Sequence, residues 1–350
     1  MLVRITMSGI CGTDKHGYKG QAVQYAGTQR EVFGPYPAVP GHENLGVIEE
    51  LAEPRTDFYG LPLRVGDRVL VSPDIVCGEC FLCRHSFGYS WCDRIRSYGH
   101  LSSDVWPHLL GGWADLMYVL PGSHVYRVPD EISDDIAVLA EPMAVTYSLD
   151  LAKSWAALPR QGFSAGDTVV VFGVGPLGIF HLIKARLMGA GTLVAVDVSP
   201  YRLELARALG ADVTLDPRQL PGPELVTAVR DLTHGLGADV VVECVGIPSV
   251  IRDGIEMLRQ GGTFVEVGNF VDSGELSLSP HRHFVAKNIR LLGMTNLAYT
   301  GFIPSITLLH RHRHELPLAR VITHRFPLER AEEALVTSME PESMKVVIAP

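Results

Sequence analysis

Apolar residues occur in two kinds of block along the second half of the chain, and the blocks predict strands and helices in turn. Short β-branched runs have the composition of strands buried on both faces. They are Thr168–Phe172, Thr192–Val196, Asp239–Gly246, Gly262–Gly268 and Ile289–Gly293. Segments with apolar residues at helical spacing lie between them, at Ile179–Met188, Tyr201–Leu209 and Val250–Leu258. Strands that alternate with helices at this spacing predict an α/β fold with a doubly wound parallel sheet.

The first third of the chain has another pattern, in which short apolar runs are separated by glycine and proline. The runs are Leu2–Met7, Gly46–Leu51, Val65–Val71 and Trp113–Val119. This pattern predicts a mainly β region. Beyond it we predict helices at Met143–Ala157, Ser305–His314 and Glu329–Thr337, and a strand at Lys345–Ile348 that returns to the β region.

A glycine-rich segment joins the first buried strand of the α/β region to its helix. Gly173, Gly175 and Gly178 have the spacing G-x-G-x-x-G, with Pro176 and Leu177 between the last two. Such glycines allow a tight turn, close approach of the backbone to a pyrophosphate, and close packing of the helix on the strand. The helix N-terminus adds free N–H groups and partial positive charge. The segment predicts a dinucleotide site, although the strand–turn–helix of some other doubly wound protein has the same outline.

The ends of the later strands extend this prediction. Asp197 ends the second strand, 24 positions after Gly173. An acid there can accept hydrogen bonds from a ribose diol and repels a 2′-phosphate, which favours NAD over NADP. Gly246 and Gly268 end two further strands and should face the nicotinamide, because ligands bind beyond the carboxyl ends of parallel strands.

Composition narrows the class of protein. The chain has 350 residues, of which 47% are apolar and 20% charged, as in a globular protein of about two domains. A net charge of −9 without any basic run argues against nucleic-acid binding. No apolar stretch approaches the roughly 18 residues that span a bilayer, and the first residues lack the core of a secretory signal. We therefore expect a cytoplasmic protein, with no membrane partner, whose cysteines serve as ligands rather than disulfides.

Four cysteines stand close together in the spacing C-x2-C-x2-C-x8-C. They are Cys77, Cys80, Cys83 and Cys92. Four thiolates at this spacing can close a structural zinc site that has no open position. The surrounding segment has few apolar runs, so burial alone could hardly hold its shape. Free or redox-active thiols are the alternative interpretation.

A second possible metal site involves Cys11, His42 and Glu43, which lie in glycine-flanked turns where side chains can converge. A catalytic zinc usually has three protein ligands and one open position. A buried cysteine and a hydrogen-bonded turn histidine are the plainer interpretation. Glu141 follows Ala-Val-Leu-Ala, and if it is buried it needs a partner, which a metal or its water would supply. An acid at a helix end is the alternative for Glu141.

These motifs, in this order, resemble the zinc-dependent medium-chain alcohol and polyol dehydrogenases of the sorbitol and threonine dehydrogenase type. The matching pieces span nearly the whole chain. They are Gly9–Asp14, Gly41–Glu43, Val65–Val69, the four cysteines, Glu141–Pro142, the glycine loop, Asp197 and Lys345–Ile348. The resemblance implies a GroES-like β catalytic domain, residues 1–145 and 297–350, with a structural-zinc lobe at about 77–92. A Rossmann NAD-binding domain, residues 146–296, would be inserted into it.

The resemblance also implies roles for the residues of the catalytic site. Cys11 and His42 would bind a catalytic zinc. Glu43 or Glu141 would be a third or exchanging ligand. Asp14 would orient His42, as ligating histidines generally require.

Further roles follow from the same resemblance. Thr13 would pass the substrate's hydroxyl proton toward solvent, together with His16 and the cofactor ribose. The cofactor-binding residues would include Arg202 and Lys345 besides the glycine loop, Asp197, Gly246 and Gly268. Lys345 would reach the pyrophosphate.

The activity implied is oxidation of a secondary alcohol to a ketone, with hydride transfer to NAD and with one catalytic and one structural zinc. The substrate would be a small-molecule polyol, sugar derivative or hydroxy amino acid, and the assembly a homodimer or homotetramer. A zinc-free enone or quinone reductase on the same fold would lack both ligand sets. A catalytically inactive NAD-binding sensor or structural protein is the alternative from another class.

Three features depart from the family pattern. The chain lacks the early strands that the family carries before Gly-Ile-Cys-Gly. The segment from Cys83 to Cys92 is one residue longer than usual. The loop from His16 to His42 is also long, and it could line the substrate cleft or be a plain surface loop.

Overall fold

The computed structural model describes residues 1–21, 25–28, 31, 34, 36–85, 91–154 and 162–350. Its strands are β1 (Leu2–Gly9), β2 (Glu43–Glu50), β3 (Arg68–Val71), β4 (Asp74–Ile75), β5 (Arg96–Ser97), β6 (Leu116–Tyr118), β7 (Val125–Arg127), β8 (Thr168–Phe172), β9 (Thr192–Val196), β10 (Val213–Leu215), β11 (Ala238–Glu243), β12 (Leu258–Glu266), β13 (Arg290–Gly293), β14 (Ile322–Phe326) and β15 (Lys345–Ile348). Its α-helices are α1 (Gly12–Tyr18), α2 (Phe81–His85), α3 (Asp134–Ala137), α4 (Ala140–Ala144), α5 (Tyr147–Ser154), α6 (Pro176–Leu187), α7 (Pro200–Ala208), α8 (Pro223–Asp231), α9 (Pro248–Met257), α10 (Phe302–His312) and α11 (Ala331–Thr337). The chain divides into two compact units, Met1–Val145 with Asn296–Pro350, and Thr146–Thr295.

The first unit, which we call the catalytic unit, is built on a mostly antiparallel sheet. Strands β14, β15, β1, β2, β3 and β7 follow one another in it, and β6 pairs with β1. In this sheet Gly9, at the end of β1, lies opposite Glu43 on one side and Val347 on the other. The register therefore brings the segment after β1 together with the starts of β2 and β15. These three segments carry Cys11, Glu43 and Lys345.

Two short strands of the catalytic unit lie on either side of the four-cysteine segment. Asp74 of β4 pairs with Ser97 of β5 in antiparallel register, and the Ser97 hydroxyl donates to Asp74 Oδ1 over 2.6 Å. The pairing of β4 with β5 holds together the two ends of the four-cysteine segment. The cysteines therefore lie on a loop that is closed by a short two-stranded sheet.

The second unit, which we call the cofactor unit, contains the parallel sheet that the sequence predicts. Its order is β10-β9-β8-β11-β12-β13, and every neighbouring pair is parallel. This is the strand order of dinucleotide-binding sheets. Fully buried valines at the centre, including Val170, Val194 and Val241, explain why the central strands read as continuous apolar runs. The predicted doubly wound fold is confirmed, and β8 and β9 have the predicted bounds.

The helices differ from the sequence-based expectation in two places. The predicted helix Met143–Ala157 is divided into α4 and α5, and residues 155–157 lie outside the described residues. Helix α1 was not predicted; Asp14 stabilises its start, because Asp14 Oδ2 accepts a hydrogen bond from the Cys11 N–H over 2.8 Å. Within the described residues, no helix combines the length and apolar character that a membrane crossing requires.

Candidate active site

Cys11, His42 and Glu43 converge at the end of β1. One ligand atom of each lies within 4.8 Å of the others. His42 and Glu43 are buried, and Cys11 is half-buried. Glu43 Oε2 is buried and has no hydrogen-bond partner within the described structure. A convergent thiol, imidazole and carboxylate with an unsatisfied buried oxygen have the donor chemistry that zinc takes.

The charges around His42 favour a cation at this place. His42 Nδ1 lies 3.8 Å from Asp14 Oδ1, and its Nε2 lies 3.4 Å from Thr13 Oγ1. Burial opposes protonation of His42, but the Asp14 carboxylate and the Cys11 sulfur outweigh it and raise the pKa of His42 well above its usual 6.5. Burial likewise opposes ionisation of Cys11, but the hydrogen bond from His42 outweighs it and lowers the pKa of that thiol. The site thus stabilises a thiolate beside a positive charge, which a metal ion could supply.

Lys345 lies in this cluster, and its surroundings correct the role predicted for it. Its side chain is buried, and its ammonium pairs with Glu43 Oε1 and donates to the Ile10 carbonyl over 3.2 Å. Burial disfavours the charged ammonium, but Glu43 and Cys11 raise the pKa of Lys345 above its ordinary value. An ammonium held in this way is not free to reach a pyrophosphate. Lys345 instead neutralises charge among the candidate metal ligands.

Glu141 lies on α4 and is buried, as its apolar flank suggests. Burial and the nearby Glu43 carboxylate raise the pKa of Glu141 well above its usual range. Glu43, rather than Glu141, is the carboxylate that shares the compact cluster with Cys11 and His42. Glu141 is therefore a neighbour of the cluster whose surroundings favour its neutral form.

A cavity of about 270 Å³ lies beside the cluster, within the catalytic unit. Thr13, Asp14 and His100 are among its described lining residues. The rings of His100 and His42 lie 5.5 Å apart between centroids. Burial and the neighbouring His42 lower the pKa of His100. Sequence reasoning missed His100, because no spacing rule marks it.

His16 does not appear among the described residues that line this cavity. Its Nδ1 instead lies 2.5 Å from Oε1 of Gln21, which does line the cavity. Thr13 therefore combines a position in the cavity with a contact to His42. The proton relay from Thr13 through His16 stays a prediction.

The four cysteines of the β4–β5 segment converge as the spacing predicts. One sulfur of each lies within 4.8 Å of the others. Backbone N–H groups point at these sulfurs: Cys80 N lies 3.3 Å from Cys77 Sγ, and Cys83 N lies 3.4 Å from Cys80 Sγ. Backbone N–H groups around Cys77, first that of Glu79, lower the pKa of its thiol to about 6. Burial and the neighbouring Cys80 raise the pKa of Cys83 to about 12, so the four thiols do not all ionise by themselves. Four convergent sulfurs that need a cation to ionise together fit a structural zinc.

The glycine loop of the cofactor unit is packed as its predicted role requires. Gly173 has φ of +75°, and a Cβ at Gly178 would lie 1.7 Å from the Gly173 carbonyl oxygen. Only glycine allows this approach of α6 to the end of β8. Gly175 precedes α6, and Pro176 and Leu177 form its first turn, so the free N–H groups of the helix start lie in the loop.

Asp197 is buried at the end of β9 and holds the loop in place. Its Oδ2 accepts from Val174 N over 2.9 Å, and its Oδ1 accepts from Ser199 N over 2.8 Å. Each carboxylate oxygen has a second lone pair, so both can still accept from a ribose diol. The guanidinium of Arg202 lies near Gly175, where an added Cβ would meet its Nη1 at 3.4 Å.

Two carboxylates at the ends of β11 and β12 were not predicted. Glu243 Oε1 accepts from Val245 N over 2.6 Å and from Gly246 N over 3.0 Å. Glu266 Oε1 accepts from Gly268 N over 3.1 Å. Burial and the Glu266 carboxylate raise the pKa of Glu243 to about 8. The two acids shape the turns that contain Gly246 and Gly268.

This pair predicts a pH dependence of stability. The pKa of Glu243 is about 8 in the folded protein against an ordinary 4.5, so the folded chain binds the extra proton between these values. Stability from this group is therefore greatest below pH 4.5 and is lost as the pH rises through 8. From pH 6 to pH 8 we expect a loss of about 2 kcal/mol in the free energy of unfolding. Urea unfolding at both pH values should show a smaller loss of unfolding free energy in Glu266→Gln than in the wild type. Equal losses in the two proteins would contradict the effect of Glu266 on the pKa of Glu243.

Known proteins match the chain over both units. The sequence profile of the alcohol dehydrogenase GroES-like domain matches residues 1–130, and that of the zinc-binding dehydrogenases matches residues 176–309. The 5-exo-hydroxycamphor dehydrogenase of Pseudomonas putida is 32% identical to the chain, with 95% of this chain and 87% of the relative covered. The chain belongs to the zinc-binding, medium-chain alcohol dehydrogenase family. The predicted family, the predicted enzyme class and the GroES-like architecture are therefore confirmed.

Two further members of this dehydrogenase family agree with the assignment. The erythritol/L-threitol dehydrogenase of Mycolicibacterium smegmatis is 29% identical, over 100% of this chain and 90% of its own. The solved structure of an alcohol dehydrogenase from Thermotoga maritima superposes with a TM-score of 0.89 at 31% identity, covering 100% of this chain and 91% of its own. The chain is accordingly a dehydrogenase that acts on alcohols. These relatives are all named as dehydrogenases and give no support to the inactive-sensor alternative.

Proposed function

We propose that the protein oxidises a secondary alcohol to a ketone with NAD, using one catalytic and one structural zinc. The observation that carries this proposal is the convergence of Cys11, His42 and Glu43 beside Thr13 and a cavity. It supplies three ligands of mixed type, and three protein ligands leave the fourth zinc position to a substrate. When bound there, zinc supplies Lewis-acid polarisation of the alcohol oxygen.

The residues around this position have separable tasks. Cys11, His42 and Glu43 would hold the metal, and Lys345 offsets part of their negative charge. Asp14, at 3.8 Å from His42 Nδ1, orients the imidazole. The Thr13 hydroxyl lines the cavity and can accept a hydrogen bond from the alcohol and carry its proton away.

The four-cysteine segment would hold the second zinc in a closed tetrathiolate site. All four donors are cysteine sulfurs, so no position is left for a substrate. Helix α2, which lies within this segment, has no buried side chain, so packing does little to hold the segment in shape. The role of this zinc would therefore be structural. A metal would supply the stability that burial does not.

The cofactor unit would bind NAD along the glycine loop and Asp197. The N-terminus of α6 would hold the pyrophosphate, and Asp197, which lies beside the loop at Val174, would accept hydrogen bonds from the adenosine ribose. As to substrate, the Mycolicibacterium relative is named for the polyols erythritol and L-threitol, which favours a polyol or related secondary alcohol for this chain. A homodimer or homotetramer stays a prediction, checked by light scattering on the purified protein.

The Asp197→Ser variant tests the cofactor assignment. We expect kcat/KM for NAD to fall about tenfold to a hundredfold, because hydrogen bonds to a charged group are lost. The kcat/KM for NADP should fall less or rise, because the charge that repels the 2′-phosphate is removed. Initial rates of oxidation of a secondary alcohol with each cofactor give the ratio of kcat/KM for NAD to kcat/KM for NADP. Asp231→Ser, at an exposed acid ending α8, is the matched control and should leave the ratio unchanged. An unchanged ratio in Asp197→Ser would refute the role of Asp197.

A further inference from the structure

One ring nitrogen of His100 is available to a ligand in the cavity. His100 Nδ1 lies 3.3 Å from the Tyr98 carbonyl oxygen. A carbonyl can only accept, so Nδ1 carries the hydrogen, and in the neutral ring Nε2 is then a hydrogen-bond acceptor. Among the described residues Nε2 has no hydrogen-bond partner, and His100 lines the cavity together with Thr13.

The backbone fixes His100 beside the candidate metal ligands. Gly99 has φ of +80°, and a Cβ there would lie 3.1 Å from Gly41 N, so the turn after β5 packs directly on the residue before His42. The centroids of the His42 and His100 rings are 5.5 Å apart as a result. A carbon–carbon bond spans about 1.5 Å, so a hydroxyl on the carbon next to the reacting one is close enough to contact His100 while the reacting hydroxyl lies at His42.

The charges of the cavity limit the substrate further. Its described lining residues include the carboxylates of Asp14 and Glu332 but no lysine or arginine. The Tyr18 hydroxyl donates to Glu332 over 2.8 Å and does not supply positive charge. Carboxylate- or phosphate-bearing alcohols would meet like charge in this cavity, and repulsion of this kind is a common source of specificity. The cavity therefore suits a neutral substrate.

We propose that His100 is a specificity-determining residue whose Nε2 accepts a hydrogen bond from the second hydroxyl of a neutral vicinal diol. The inference rests on the proposed alcohol dehydrogenase function. The reacting hydroxyl lies near Thr13 and His42, and the neighbouring hydroxyl donates to His100. A mono-alcohol leaves Nε2 without its partner in a partly buried place, and a site built to bond a hydroxyl discriminates against the analogue that lacks it.

The test compares 2,3-butanediol with 2-butanol, which has the same carbon skeleton but lacks the second hydroxyl. The wild-type enzyme should have a kcat/KM for the diol at least about tenfold above that for the mono-alcohol, the value of one hydrogen bond with a partly buried acceptor. In His100→Phe, which keeps an aromatic ring against His42, this ratio should fall about tenfold. His100→Gln, which restores an acceptor, should recover part of it. His108→Phe is the matched control, since exposed His108 makes the same kind of Nδ1–carbonyl contact outside the described cavity lining.

Two results would overturn the inference. One is a diol-to-mono-alcohol ratio that is the same in the wild type and His100→Phe, and the other is a ratio that falls equally in His108→Phe. If no secondary alcohol is oxidised with NAD, the proposed function fails, and calorimetric titration of both alcohols into the NAD complex then tests His100 by itself. In that titration, loss of the preference for the diol in His100→Phe supports the inference, and equal affinities in the wild type contradict it.

Discussion

Replacing His42 with alanine should lower kcat/KM for NAD-linked alcohol oxidation about 10³-fold or more and remove one zinc per chain. His42 is buried beside Cys11 and Glu43, and the Asp14 carboxylate 3.8 Å from its Nδ1 favours a positive charge at this point. Without the imidazole, the remaining ligands cannot hold the metal in a three-ligand site. The several kcal/mol of transition-state stabilisation that a Lewis acid supplies would be lost.

Two variants make the His42 result specific. Asp14→Asn keeps the shape of the residue that faces His42 but removes its charge. It should lower kcat/KM about 10-fold to 100-fold and weaken the binding of zinc without abolishing it. His314→Ala alters an exposed histidine after α10 and should change neither zinc content nor activity. Circular dichroism checks that each variant is folded. A folded His42→Ala protein that keeps two zincs and near-wild-type activity would show that the catalytic site lies elsewhere.

Replacing Cys80 with serine should release the other zinc and destabilise the catalytic unit. Each of the four sulfurs lies within 4.8 Å of the other three, so loss of one donor opens the closed site. Loss of a structural metal is among the few single changes that cost more than about 4 kcal/mol, which corresponds to a fall of about 10 °C or more in the melting temperature. Differential scanning calorimetry with metal analysis of the same sample measures both effects.

The control for Cys80 is a cysteine outside the cluster. Cys244 lies at the end of β11 in the cofactor unit, 3.9 Å from His181 Nδ1, and Cys244→Ser should retain both zincs. If Cys80→Ser folds too poorly to purify, addition of a zinc chelator to the wild-type protein at increasing temperature should reproduce the lower melting point. A Cys80→Ser protein with unchanged zinc content and melting temperature would contradict the structural-zinc assignment.

Local sequence patterns predicted the parts of the structure that depend on neighbours in the chain. Thr168–Phe172 and Thr192–Val196 are strands with the predicted bounds, because continuous burial on both faces requires an unbroken apolar run. The glycines of the loop were recognisable because the turn at Gly173 and the contact at Gly178 exclude other residues. The four cysteines were recognisable because their donors lie within one short segment.

Contacts between distant segments could not be predicted in this way. Lys345 pairs with Glu43 across 302 positions of sequence, and the register of β1 between β2 and β15 alone brings them together. The family resemblance therefore placed Lys345 at the pyrophosphate, whereas in the fold its buried ammonium pairs with the Glu43 carboxylate. His100 and Glu266 were missed for the same reason, since each matters only through a partner on another element.

The number of zinc ions per chain tests the two metal assignments most directly, measured by metal analysis of the purified protein before and after mild chelation. We predict close to two zincs, one of which is lost readily together with NAD-linked alcohol oxidation while the other stays bound. One tightly held zinc that is unrelated to activity would leave the four-cysteine site standing. It would contradict the assignment of Cys11, His42 and Glu43 as catalytic ligands.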